Sequence, residues 1–239
     1  MSNAFRRSFV PSSVRSVVPA LLVPAVLVVA ATLLAAPFAR AQTTPAPQTA
    51  FDKQLERIDF AVSGVGLFTN TVSGIEKRDN TPLSQYGSNT LGALVTLRYI
   101  KKPLLGFEFN YGYARYTQNF VPDTTIPGGA QNKATEYSLG YVAHIHKLDF
   151  LGLQPFVGAG GGTIAFNPTP YGGQGLKEQA RAAYYYQAGV EDPIFTSHFG
   201  VRASFRQLIY LAPDFGQNYL TITRRTRTSE PQVGFYLRF

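Results

Sequence analysis

The sequence predicts an all-β fold, an eight-stranded antiparallel transmembrane up-and-down barrel over residues 57–239. Three observations carry this prediction. Eight segments alternate apolar with polar or small side chains, the connections between them alternate in length, and the chain ends on an apolar stripe that closes with an aromatic residue. The composition agrees, because 15% charged residues beside 14 Tyr and 18 Phe is a low charge and a high aromatic content for a soluble domain.

The eight segments show the period of two that characterises β-strands. In the third, Phe107, Phe109 and Tyr111 lie on one face while glycine and polar residues lie on the other. The phase of the first segment blurs at Val65 and Leu67, which suggests a bulge, and the glycine-rich fifth segment has no assignable faces. A tilted strand of about ten residues crosses a bilayer. The predicted strands cover 57–70, 90–100, 105–117, 135–146, 154–166, 182–191, 198–210 and 230–239.

The connections between these segments alternate strictly between short and long. A membrane barrel shows this asymmetry, because short turns lie at one face of the membrane and longer loops at the other. An even strand count also brings both chain ends to the side of the short turns. The short turns are 101–104, 147–153 and 192–197, and the long connections are 71–89, 118–134, 167–181 and 211–229.

The last strand carries the most specific motif of the chain. Its apolar face is formed by Val233, Phe235, Leu237 and Phe239. This ending resembles the C-terminal assembly signal of bacterial outer-membrane barrels, and residues 57–239 resemble the small eight-stranded outer-membrane proteins of the OmpA and OmpX type. The resemblance implies that the barrel-assembly machinery is a partner during biogenesis. It also implies a place in the cell outer membrane, with the N- and C-termini in the periplasm.

The first 41 residues have the layout of a secretory signal peptide. Arginines precede an apolar run over 17–36, and a small-x-small pattern ends at Ala41. Two prolines within the run argue against the alternative, a retained transmembrane helix. We therefore predict cleavage of 1–41, followed by a periplasmic N-terminal lead-in over 42–56 whose first half is rich in Thr, Pro and Gln.

Composition removes several classes of function. The chain has no cysteine, which excludes disulfides and thiolate chemistry. The formal net charge is +8, but four of the arginines, Arg6, Arg7, Arg15 and Arg40, belong to the predicted signal peptide. The remaining excess of basic over acidic residues is weak for a nucleic-acid-binding protein. We therefore expect no nucleic acid as a partner. The expected partners are outer-membrane lipids, with lipopolysaccharide as a candidate, and the expected state is a monomer.

Charged residues on the inward faces form a candidate lumen network. Arg98 and Glu108 flank the first short turn and Glu191 and Arg202 flank the third, so each pair lies on neighbouring strands. We prefer a structural polar filling, because eight strands enclose a space that side chains fill; a gated ion path is the alternative. Such charges also argue against a soluble lipocalin-like barrel with an apolar interior. The candidate network comprises Arg98, Glu108, Glu136, Glu191, Arg202 and Arg206.

Three arginines, Arg224, Arg225 and Arg227, precede the final strand in the fourth long connection. Topology places this connection on the outer surface, where lipopolysaccharide presents phosphates that arginine binds with paired hydrogen bonds. A lipopolysaccharide contact is therefore one hypothesis, and an ordinary solvated charge run is the other.

Two further patterns carry less weight. The histidines His144, His146 and His198 are more simply explained as polar lumen or interfacial residues than as a metal site, because their spacing matches no metal motif. The glycine run over 158–162 lacks the lysine and the helix of a phosphate-binding loop. We expect no metal and no cofactor.

Taken together, the sequence predicts a non-enzymatic integral outer-membrane protein that supports envelope integrity or presents its loops to the exterior. A narrow pore for ions or small solutes is the alternative, and a lipid A-modifying outer-membrane enzyme is third. The enzyme is disfavoured because the chain lacks a Gly-x-Ser-x-Gly motif and its histidines are not placed beside a nucleophile on the outer face.

Overall fold

The computed structural model describes residues 49–76, 80–122, 126, 128–145, 152–196 and 198–239. The predicted signal peptide, part of the lead-in and His146 lie outside these residues. Among the helices described, none combines the length and the apolar character needed to span a bilayer. A short helix, α1 (Ala50–Leu55), begins at a capping box in which Thr49 and Asp52 bond reciprocally, an element that the sequence analysis does not predict in the lead-in.

In the described residues ten β-strands follow α1, and eight of them form a closed antiparallel barrel. The ring order is β1, β4, β5, β6, β7, β8, β9 and β10, and pairing of β10 with β1 and of β5 with β6 leaves no open edge among these eight. The predicted fold class is therefore confirmed. The strands are β1 (Ile58–Thr69), β2 (Val72–Ile75), β3 (Pro82–Gly87), β4 (Thr90–Lys102), β5 (Leu105–Val121), β6 (Ala130–His144), β7 (Gln154–Pro168), β8 (Gln179–Thr196), β9 (Phe199–Leu211) and β10 (Arg225–Arg238).

The barrel has two distinct ends. At the turn end lie the strand ends that the short connections join, together with α1 and the C-terminus, and at the loop end lie the strand ends that the long connections join. Several strands extend further toward the loop end than the alternation pattern indicates: β6 begins at Ala130 and β10 at Arg225, each five residues before the predicted start.

The first long connection, predicted as a loop, contains the hairpin formed by β2 and β3. β3 pairs with the last residues of β5, where Gly87 lies opposite Gln118, beyond the start of β4. These two strands are only four and six residues long. Sequence alternation alone gives no signal for strands this short, because their pairing depends on the extended part of β5.

The inside and outside faces follow the predicted alternation, with one correction. The bulge expected in the first segment is absent, because β1 keeps a constant register with β4. Val65 stays inward and buried, whereas Phe68 points outward. The structure defines the faces of the fifth segment, which forms β7. Phe156 and Phe166 point inward, as do the even-numbered glycines between them, Gly158, Gly160 and Gly162.

The lumen consists of a charged layer toward the turn end and an apolar layer toward the loop end. The apolar layer is a packed cluster to which the connection after β9 contributes Phe215 and Leu220, both fully buried. This plug segment, residues 212–224, therefore folds into the barrel mouth, whereas its composition predicts an external polar loop. Apolar inward positions such as Val65 explain the blurred phase, since both faces of the strand are then apolar.

The plug segment is held by one buried carboxylate. Asp214 accepts hydrogen bonds from Gln179 at 2.5 Å and Thr221 at 2.8 Å, and its Oδ1 lies 2.9 Å from Nη2 of Arg181. Burial opposes ionisation of this group, but hydrogen bonds from Gln179, Thr221 and the Gly216 N–H, together with the charge of Arg181, outweigh it, so the pKa of Asp214 lies below its usual value.

Candidate functional site

The charged layer is built around a guanidinium that joins opposite walls of the barrel. Arg98 on β4 lies directly opposite Glu108 on β5, and its Nε donates to Glu108 Oε2 at 2.8 Å. Its Nη1 donates across the lumen to Glu191 Oε1 on β8 at 2.6 Å. The side chain of Arg98 is only 2% exposed, so these charges are removed from water and depend on each other.

Glu191 is the hub on the other side of the lumen. Arg202, its cross-strand partner on β9, donates to the same Oε1 at 2.9 Å and to Asp59 of β1 at 3.1 Å. Arg238 approaches Glu191 Oε2 at 3.3 Å from the last residues of β10. His144 Nε2 lies 3.4 Å from the same oxygen. Four strands therefore converge on this carboxylate.

A second cluster lies nearer the apolar layer. Arg206 on β9 bonds to both oxygens of Glu136 on β6, across the lumen, and donates at 3.0 Å to Glu230 on β10. Its guanidinium carbon lies 4.2 Å from the ring centroid of Tyr185, a cation–π contact. All three ionisable side chains are buried, so the cluster is internal structure and not a solvated rim.

Neutral side chains complete the hydrogen bonds of Glu108. Its Oε1 accepts from the hydroxyl of Tyr185 at 2.7 Å and from Gln187 at 2.6 Å. The Tyr185 ring lies against two glycines of neighbouring strands, Gly140 and Gly160, where an added Cβ would collide with it. The inward glycines thus make room for one bulky side chain, the role that glycine commonly has in a barrel wall.

This arrangement fills the interior. Between the Arg206 cluster and the apolar layer lies a cavity of about 30 Å³, lined by Glu136, Glu230 and apolar residues such as Leu94. A cavity of this size holds about one water molecule. The chemistry available to the buried charges is mutual neutralisation, because each of them faces a partner of opposite sign.

Comparisons with solved structures agree with this architecture. The outer membrane protein OprG from Pseudomonas aeruginosa has a TM-score of 0.52 and 14% identity, covering 76% of this chain and 95% of OprG. The chain has the fold of a small outer-membrane β-barrel. Neisserial surface protein A has a TM-score of 0.48 and 14% sequence identity, and the match covers 75% of this chain and 97% of that protein. The outer membrane protein AlkL has a TM-score of 0.46 and 17% sequence identity, and the match covers 83% of this chain and 96% of AlkL. No family model and no curated protein matches the sequence.

On the outer face of this barrel, the C-terminal stripe lies where the alternation places it. Val233 and Phe235 are 62% and 59% exposed, and Phe239 is partly exposed. The backbone N–H of Phe239 donates to the carbonyl of Ile58 at 3.2 Å, which joins the chain end to β1. The stripe therefore faces outward from the strand that closes the ring.

The three arginines before the final crossing are all exposed at the loop end. Arg225 and Arg227 belong to β10 and share its outward face, whereas Thr226 between them is buried. Arg224 lies just before the strand. Arg225 and Arg227 are therefore carried by a paired strand and not by a free loop.

The histidines are separated in the structure. His144 belongs to the Glu191 cluster, whereas His198 donates from Nδ1 to the carbonyl oxygen of Arg238 at 3.0 Å. Across the described part of the chain no three His, Asp or Glu side chains are arranged to hold a metal ion.

Three members of the charged layer lie outside the network predicted from the sequence. Asp59, Glu230 and Arg238 lie at inward positions of their strands. The same alternation of inward and outward residues that identifies the other charges therefore also predicts these three as lumen residues. What the alternation cannot give is the contacts across the lumen. Arg98 with Glu191, and Arg206 with Glu136, are separated by 93 and 70 residues and meet only because the sheet closes.

Proposed function

We propose that the protein is a non-enzymatic integral protein of the outer membrane, whose barrel supports the envelope and carries its loops on the exterior. Both described chain ends lie at the turn end, which supports a periplasmic position for the N- and C-termini. The long connections then lie at the cell surface.

One observation carries the proposal: the lumen is occupied on two successive levels. The Arg98–Glu191 contact joins opposite walls at the turn end, and Phe215 with Leu220 fills the loop end. Ions crossing the barrel would have to disrupt both levels. This favours a structural barrel over the narrow pore.

Electrical recording from planar lipid bilayers tests the proposal. We expect the mature protein to insert without steady conductance. Heat-dependent gel mobility of the protein in vesicles of the same lipids reports that the barrel is folded and inserted, so that the absence of current is attributable to the filled lumen.

Two results would redirect the assignment. Steady, reproducible conductance from the wild-type protein would support the pore. Release or transfer of acyl chains from lipids by the purified protein would support the lipid-modifying enzyme, and neither is expected for a filled, non-catalytic barrel.

A further inference from the structure

A groove of about 660 Å³ crosses the outer wall over β8, β9, β10, β1 and β4. Its volume is within the range of about 300 to 1,000 Å³ found for small-ligand sites. Small residues form its floor and larger apolar ones its rim. The outward residues that define it are Gly64, Leu91, Ala203, Phe205, Pro231 and Val233.

The ladder between β1 and β10 is interrupted in this floor. Val65 pairs with Gln232 and Phe68 with Ser229, but the two residue pairs between them, which include Gly66 and Pro231, are not joined. Proline has no N–H to donate. The floor of the groove is therefore lined by small side chains, and the pairing of β1 with β10 is interrupted there.

The outward face of β10 connects the groove to the arginines. From the loop end, this face presents Arg225, Arg227, Ser229, Pro231 and Val233 in succession. At about 3.4 Å per residue, the two arginines are about 7 Å apart, and Arg227 is about 14 Å from the Pro231 position in the groove. A cationic site thus stands above an apolar groove on one strand.

We propose that this face binds one lipopolysaccharide molecule, with a phosphate on Arg225 and Arg227 and an acyl chain in the groove. The inference rests on the proposed outer-membrane function and names a lipid partner for it. Arginine pairs recognise phosphate through charge-assisted hydrogen bonds. Because lipid tails already surround a membrane barrel, the acyl contribution is van der Waals fit to the groove and not the expulsion of water.

The charge of the site selects this occupant over a second copy of the chain. A copy related by a two-fold axis would bring its own Arg225 and Arg227 toward the same region, and like charges repel. An anionic lipid has the complementary sign. Its acyl chain also matches the apolar lining, and its head and tail match the order of the two parts along β10.

Two variants separate the parts of the site. Arg225→Gln with Arg227→Gln removes the phosphate contact. Gly64→Leu fills the groove, and an added Cβ at this position meets only the carbonyl of Val233, at 3.9 Å, so the wall accepts the change.

Matched controls lie on the far wall. Arg115 and Lys133 are an exposed, outward basic pair on β5 and β6 at the loop end, so Arg115→Gln with Lys133→Gln removes the same charge elsewhere. Ala159 is outward on β7, and Ala159→Leu adds bulk there.

Binding is measured with the folded mature protein in detergent micelles. The probes are purified lipopolysaccharide, the same lipopolysaccharide with its acyl chains removed, and a zwitterionic phospholipid. We expect the double Arg→Gln variant to lose at least tenfold in lipopolysaccharide affinity at low salt and to lose its salt dependence. Gly64→Leu should lose several-fold with the salt dependence retained, and both controls should bind as the wild type does.

Three outcomes would overturn the inference: unchanged binding by Gly64→Leu, equal losses in the controls, or equally tight binding of the deacylated probe, which would leave a phosphate site without a groove. Heat-dependent gel mobility of the same samples reports barrel formation. Failure to form a membrane-inserted barrel would contradict the proposed function itself, whereas a well-formed barrel without selective binding contradicts only the lipid site.

Discussion

Arg98 on β4 reaches across the full width of the lumen to Glu191 on β8, with 2.6 Å between Nη1 and Oε1. In the ring of eight strands, β4 and β8 lie four places apart and so face each other. The contact therefore acts as a tie between opposite walls as well as a charge pair. One guanidinium therefore links two walls of the closed sheet and neutralises carboxylates on both of them.

Replacing Arg98 with Met should destabilise the barrel strongly, because Glu108 and Glu191 would stay buried without their shared cation. Loss of one partner of a buried ion pair costs about 3 to 5 kcal/mol. Urea unfolding in micelles, followed by far-ultraviolet circular dichroism, measures the free energy of unfolding. The control is Arg115→Met on the exposed outer face, for which a change within about 0.5 kcal/mol is expected. Similar losses of unfolding free energy in the two variants would contradict a stabilising role for the Arg98 contacts.

Two adjacent glycines of β7 test the faces of the strand that the sequence left unassigned. A Cβ at Gly160 would collide with the backbone of β6 and with the Tyr185 ring, whereas at Gly161 it would meet the Tyr184 ring at 3.2 Å on the outer face. Gly160→Ala should destabilise the barrel by about 1 to 3 kcal/mol through overpacking. Gly161→Ala should cost less, since an exposed ring can shift. Equal effects on the unfolding midpoint would mean that the inward assignment is wrong.

The architecture was predictable because each strand of a closed barrel in a membrane alternates apolar residues that face lipid with polar or small residues that face the lumen. Phe107 and Phe109 must face lipid if Glu108 is to face the lumen, so the pattern reveals topology and register together. The pairs next to turns, such as Arg98 with Glu108, follow from the same register. Contacts across the lumen do not, since they depend on curvature and strand stagger.

The apolar layer was not predictable for a different reason. At inward positions such as Val65 and Leu208 the lumen is itself apolar, so alternation no longer distinguishes inside from outside. Phe215 and Leu220 lie in a segment with the composition of a loop, and their burial depends on the tertiary space left by Tyr185 and its neighbours. Whether such residues are buried depends on tertiary packing, which the local sequence pattern does not indicate.

Charge placed on the lipid-facing surface gives a further prediction. Phe109 points outward, and Phe109→Arg should cost about 2 to 4 kcal/mol if the residue lies near the bilayer midplane. Asn110→Ser should cost less, although its side chain accepts from Thr96 at 2.8 Å and donates to Tyr185 at 3.1 Å, bonds worth about 1 to 3 kcal/mol when lost. Refolding yield into lipid bilayers ranks the variants, with Phe109→Leu as the apolar control. A loss for Phe109→Leu as large as the loss for Phe109→Arg would contradict the outward assignment of Phe109 and with it the register of β5.

Removal of Phe239 should impair assembly more than stability. The residue contributes one backbone hydrogen bond, to Ile58, and a partly exposed ring at the end of the outward stripe. We expect the deletion variant to show a lower level of heat-modifiable, membrane-inserted protein in cells while refolding in micelles to nearly wild-type stability. Wild-type levels in cells would remove the assembly-signal hypothesis, and a matched loss in micelles would assign the residue a structural role instead.

Acid should release the plug segment, because its closure depends on an ionised carboxylate. Burial opposes ionisation of Asp214, but hydrogen bonds from Gln179, Thr221 and the Gly216 N–H act with the charge of Arg181 to hold its pKa below the usual value. A depressed pKa in the folded state means that the stabilisation is present above the unfolded pKa of about 3.9 and is lost as pH falls through the folded value. The plug should therefore stay closed at neutral pH and loosen only below about pH 4. The chain has no cysteine, so a nitroxide on Arg224→Cys reports the mobility of this segment uniquely. Mobility should rise in acid, whereas adding Asp214→Asn should raise it at every pH and remove the transition. Persistence of the acid transition in the Asp214→Asn background would assign it to another group.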